Sequence, residues 1–174
     1  GVKVARDGGA VMGFGGTDGQ AAANLAALQM GLTQSFGEGG FLSLSGELGL
    51  ADLGSQAALS NVSRAGFNSV RMDIGQHGVF AENDRLALGV SLPMAVTSGS
   101  AEMILPVAHA KGASYDPVRL DLAPSDRQVD LALSYQREIA PGLEMSLQLV
   151  RAQNYGNRAG VTDTAGVWAL KYAF

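Results

Sequence analysis

The chain has no cysteine and only two histidines, His77 and His109. Without cysteine there is no disulfide framework, no thiolate metal site and no cysteine nucleophile. Charged residues make up only 16%, and the net charge of −4 carries no Lys/Arg cluster with interleaved aromatics. Both features exclude the electrostatic footprint of a nucleic-acid binder. No apolar run approaches the roughly 20 residues of a membrane-spanning helix. Aromatic residues are sparse, at 6%. The sequence begins at Gly1 without Met or a signal-type segment, so it reads as a processed chain or a fragment of something longer.

What is abundant is apolar residue and glycine: 47% hydrophobic and 24 glycines in 174 residues. That is too apolar for a disordered chain and long enough for one domain with a sizeable core. The apolar residues alternate. Leu42, Leu44, Leu48 and Leu50 share one parity, with Ser43, Ser45, Glu47 and Gly49 on the other. The longest clean alternation is Leu86, Leu88, Val90, Leu92, Met94 and Val96. Pro93 within it donates no ladder hydrogen bond, which predicts a bulge or an unpaired position. Val129 to Tyr135, Leu143 to Leu149 and Val167 to Phe174 repeat the pattern. Period two places such residues on opposite faces of strands.

Gly37–Gly40, Ala81–Asp84, Ser98–Ser100, Ala123–Asp126 and Ala140–Gly142 read as turns. Residues 52–66 lose the alternation and read as the longest loop. Ala21–Leu28 reads either as one or two helical turns or as the run-in to a strand. The sum is an all-β antiparallel meander of about eight to ten strands, with no βαβ unit. No domain boundary is visible: residues 1–174 read as a single β-domain, with 1–25 a lead-in segment.

One face of these strands is aliphatic and the other small and polar. In a soluble β-sandwich the aliphatic face is the core, and Leu86, Leu88, Val90 and Leu92 point into it. In an outer-membrane-type β-barrel the same face meets lipid and the charges line a wet lumen. The last strand turns the reading toward the barrel. Trp168, Leu170, Tyr172 and Phe174 share one face and run to an aromatic terminus, as a strand that closes a barrel would.

No catalytic, cofactor-binding or metal-ligating set emerges. Asp73 and His77 are four apart and would share a strand face, as an orienting carboxylate and a base would, but they read better as polar-face residues. His109, after Pro106, reads as a loop residue. Thr97–Ser100 reads as a turn without a base. Asp and Glu lack metal-ligand spacing. Asn61-Val62-Ser63 matches a glycosylation acceptor. The chain itself is therefore expected not to be an enzyme.

The tail Asn154-Tyr155-Gly156-Asn157-Arg158-Ala159-Gly160-Val161-Thr162-Asp163-Thr164-Ala165, with the aromatic-ended strand after it, resembles the end of autotransporter β-domains. It is most similar to those attached to subtilisin-like serine protease passengers. Asp84–Pro93 and Leu120–Pro124 resemble the same group, and the resemblance covers roughly residues 26–174. It implies a translocator barrel in the cell outer membrane of a Gram-negative bacterium. The implied partners are outer-membrane lipid, the barrel assembly machinery and an N-terminal passenger domain that carries any protease activity. It assigns Trp168, Leu170, Tyr172 and Phe174 to the assembly signal and calls for no cofactor. The strands read here are fewer than a family barrel has, so the chain reads as a truncated barrel, a barrel completed by another segment, or a related domain put to another use. The alternative is a soluble β-sandwich, a structural or interaction module processed from a secreted protein.

Overall fold

The computed structural model describes residues 2–7, 23–52, 59–109 and 112–173. Among these the chain is all β apart from one short 3₁₀ turn at Tyr155–Asn157. The strands are β1 (Val2–Asp7), β2 (Ala23–Phe36), β3 (Gly40–Asp52), β4 (Leu59–Ser60), β5 (Ala65–His77) and β6 (Asp84–Ser98). They continue with β7 (Ser100–His109), β8 (Gly112–Asp121), β9 (Val129–Ala140), β10 (Leu143–Gln153) and β11 (Thr162–Tyr172). Eight of them form one sheet in the order β1-β2-β3-β5-β6-β9-β10-β11. The remaining three form a second sheet in the order β4-β7-β8.

The antiparallel meander expected from the alternation is present. Its departure is the hairpin of β7 and β8, which leaves the large sheet between β6 and β9 and joins β4. Of the Ala-rich stretch that could have been helical, residues 23–28 lie in β2, where they pair with β1 from Leu28↔Val2 to Ala23↔Asp7, and residues 21–22 lie outside the described residues. Pro93 lies two residues beyond the last pair of the β6–β9 ladder, Ser91↔Asp130. Its carbonyl accepts a hydrogen bond from the Arg127 guanidinium at 3.1 Å. The expected loop over 52–66 falls partly on residues 53–58, outside the described residues. Its remainder holds β4 and the start of β5.

The barrel does not form. β1 and β11 are the two edges of the large sheet, and among the described residues β11 pairs with β10 alone. Among the described residues neither sheet closes. Alternation reports two faces, whereas closure depends on strand tilt and stagger, which period-two patterning does not encode. No described helix is long and apolar enough to cross a membrane.

The chain divides into two compact units. In the first (1–29, 47–68 and 94–124), Ala27, Ala51, Ala65 and Phe67 form a buried cluster. Val62 after β4 and Leu122 after β8 pack on it, as do Leu25 and Val96. Residues of β2, β3, β5 and β6 and of the segments that follow β4 and β8 therefore share this small core. Gly49 makes room for it, since a Cβ there would overlap the Phe67 ring and lie 2.6 Å from the Ala26 carbonyl.

In the second unit (30–46, 69–93 and 125–174) the burial runs opposite to the sandwich expectation. Small residues such as Ala87 and Ala152 are buried, while Leu88 and Val90 are exposed. Leu86 and Leu92 are half-buried. Among the described residues of this unit the aliphatic face is left uncovered.

Candidate interaction surface

The aliphatic face of the second unit is assembled strand by strand through the register. Leu88 of β6 lies opposite Leu133 of β9, which lies opposite Leu149 of β10, which lies opposite Gly166 of β11. The neighbouring row is Leu86, Tyr135, Leu147 and Trp168. A third row, Val90, Leu131, Arg151 and Thr164, turns polar toward the β11 edge. Directly opposed side chains on one face touch, so each row forms a continuous ridge. Leu88 remains 60% exposed, Leu149 46% and Trp168 62%. Leu42 and Leu44 on β3 and Val70, Met72 and Ile74 on β5 are likewise exposed.

At one end of this face the chain folds over itself. Asp84 has the parity of Leu86 and Leu88 but is only 2% exposed. Its carboxylate accepts hydrogen bonds from the amides of Val79 (2.7 Å), Phe80 (2.8 Å) and Ala81 (3.0 Å) and from the Tyr135 hydroxyl (3.2 Å). Phe80 meets the Tyr135 ring edge-on, with centroids 5.8 Å apart. Burial pushes the Asp84 carboxyl up, but these four donors outweigh it and hold the group below the ordinary carboxylate range. Tyr135 is raised above the usual phenol value, first by burial and then by the Asp84 charge it donates to. The sequence marks Ala81–Asp84 as a turn. It carries no sign that Asp84 is its hub, because the three amides it binds precede it in an unpatterned stretch.

The opposite, polar face carries one ion pair among the described residues. Arg71 donates to Asp73 at 2.7 and 2.8 Å, an ion pair that raises the Arg71 pKa further. Asp73 is thus engaged by Arg71. His77 instead lies beside the Phe41 ring, with centroids 5.3 Å apart. The Asp73–His77 spacing does not assemble an acid–base pair. Arg85 covers the same Phe41 ring at 4.3 Å. A shallow groove of about 490 Å³ is lined by His77, Asp84, Arg85, Arg137, Glu144 and Lys171, among others. Its lining carries both basic and acidic groups, so neither sign dominates. Among the described residues no group of three or more His, Asp and Glu could hold a metal ion. The backbone of His109 ends β7 opposite Gly112. Asn61, of the glycosylation-type triplet, donates to Glu102.

Trp168, Leu170 and Tyr172 lie on β11, on the aliphatic face, and Phe174 lies outside the described residues. The three do not close a sheet. They stand on its edge strand.

No family model, curated protein or solved structure matches this chain. The resemblance to autotransporter β-domains therefore finds no support, and the open sheet removes the closed barrel on which it rested. The translocator function and the outer-membrane placement fall with it, because both required a closed barrel. The lipid, assembly-machinery and passenger partners were implied by that barrel and do not follow from an open sheet.

Proposed function

We propose that this chain is an interaction module, an open sandwich whose aliphatic face docks against the apolar face of another β-sheet. It acts by binding and not by catalysis. The observation that carries this reading is the exposed ridge Leu88–Leu133–Leu149 with its neighbours on either side. The apolar area exposed there is on the order of 1,000 Å², against roughly 300–600 Å² for the largest patch on a typical monomer. Patches of that size mark binding sites, and the flat rows suit another pleated sheet packed at about 10 Å. Offered no other partner, such a face associates with copies of itself.

The test is sedimentation velocity of the chain in aqueous buffer, across the micromolar range, beside the double variant L88K/L133E. The two substituted positions face each other, so opposite charges there keep the strand pair intact. With rising concentration the native chain is expected to form larger species than the variant does, and the two are expected to share a denaturation midpoint. A native chain that sediments identically to the variant at every concentration contradicts the reading.

A further inference from the structure

β11 is an edge strand of unusual completeness. It has 11 residues, all exposed, and contains no proline. Its register against β10 runs from Thr162 to Tyr172 without a shift. Between Asp163 and Lys171 its outer side meets no other strand among the described residues, so it presents a row of backbone donors and acceptors, the template for strand addition. Natural edges are blunted by shortness, by proline, by bulges or by charged side chains. β11 has only the last of these, in Asp163 and Lys171.

The sequence of β11 is complementary to itself. Laid antiparallel on a second β11 with Val167 opposite Val167, Asp163 of each copy falls opposite Lys171 of the other. Gly166 falls opposite Trp168, Ala165 opposite Ala169, and Thr164 opposite Leu170. Both charges of the strand are neutralised, twice over by symmetry. Moving the register by two residues in either direction leaves each Lys171 facing an uncharged residue. Moving it by one turns the aliphatic face of one copy to the far side. The register centred on Val167 also sets each indole beside a glycine, the arrangement in which an aromatic covers a bare backbone. Within its own chain Lys171 is already opposite Glu144, so the second copy places it between two acids.

We propose that a second copy of this chain pairs antiparallel with the outer edge of β11, with Val167 on the two-fold axis. The contact is isologous and uses each β11 once, so it closes at a dimer and does not propagate. It does not depend on the docking face, because Val167, Asp163 and Lys171 have the parity opposite to Leu170 and Trp168.

Directly opposed strand residues have Cα atoms about 4.5–5.5 Å apart, within the range a disulfide spans. The chain has no cysteine of its own, and Val167 is 58% exposed, so a thiol there is accessible without disturbing the fold. The experiment uses V167C, A165C and A169C in the L88K/L133E background, which removes association through the aliphatic face. Under mild oxidation V167C is expected to form a covalent dimer. A165C and A169C are expected to stay unlinked alone and to link when mixed, since each lies opposite the other. Adding D163K to V167C is expected to slow linking about tenfold, because two attractive charge pairs become repulsive. Adding K171D and E144Q as well restores it. The proposal is overturned if V167C links no faster than A165C alone, or if A165C and A169C link as readily apart as together. Either result leaves the docking face standing, since that face is read out separately by sedimentation.

Discussion

Asp84 shows how one side chain organises a turn. Three amides and a phenol converge on a carboxylate that the fold buries. Because its pKa is lowered on folding, the stability it adds is present above the ordinary carboxylate range and is lost as pH falls through the folded value. Urea denaturation at a series of pH values should show an acid-side decline that is much reduced in D84N, which should also be less stable at neutral pH. An unchanged slope in D84N would place the acid sensitivity elsewhere. Gly75 makes a second case. A Cβ there would overlap the Phe41 ring and the Leu86 carbonyl. The ring is held between His77 and Arg85, and the carbonyl belongs to the neighbouring strand. G75A should therefore destabilise the chain by about 1–3 kcal/mol, read as a lower denaturation midpoint. The sequence signals neither residue. Asp84 reads as an ordinary turn aspartate, and nothing in the alternation marks Gly75 as the close approach it is within β5.

At the scale of elements the alternation was highly legible. Leu86 to Val96, Val129 to Tyr135 and Leu143 to Leu149 became β6, β9 and β10, in a register that aligns their leucines. What alternation does not carry is which face is covered. Leu88 and Leu133 have the pattern of core residues and the exposure of surface residues, because burial depends on what lies across the sheet and not on the strand itself. The departure of β7 and β8 into a second sheet was illegible for the same reason. Ala101–His109 alternates weakly and is interrupted by Pro106, yet it pairs along its length with β8. The terminal strand was the costliest case. An unbroken strand with Trp168, Leu170 and Tyr172 on one face suits a closing strand and an edge strand equally, since both need a regular backbone. Its neighbours decide between them, and here β11 has β10 on one side. Replacing Ala169 by proline should cost little stability if its amide faces outward. In the dimer it should abolish V167C linking, which non-reducing mass analysis reads directly.

For the molecule as a whole, the exposed aliphatic rows and the outer edge of β11 are two surfaces with different chemistry. The face offers apolar area, which is non-directional and tolerant of the partner's sequence. The edge offers backbone hydrogen bonds and two charges, which fix a register. The central claim concerns the face: it is covered by protein in the working state. Carbene footprinting with mass spectrometry at Leu88, Leu133 and Leu149 measures this most directly, in aqueous buffer without lipid or detergent. The account predicts labelling of all three at high dilution and their joint protection as the chain associates, with the L88K/L133E variant labelled at its remaining position, Leu149, throughout. Labelling that stays constant at every concentration, or protection that arises only when lipid or detergent is added, would contradict it.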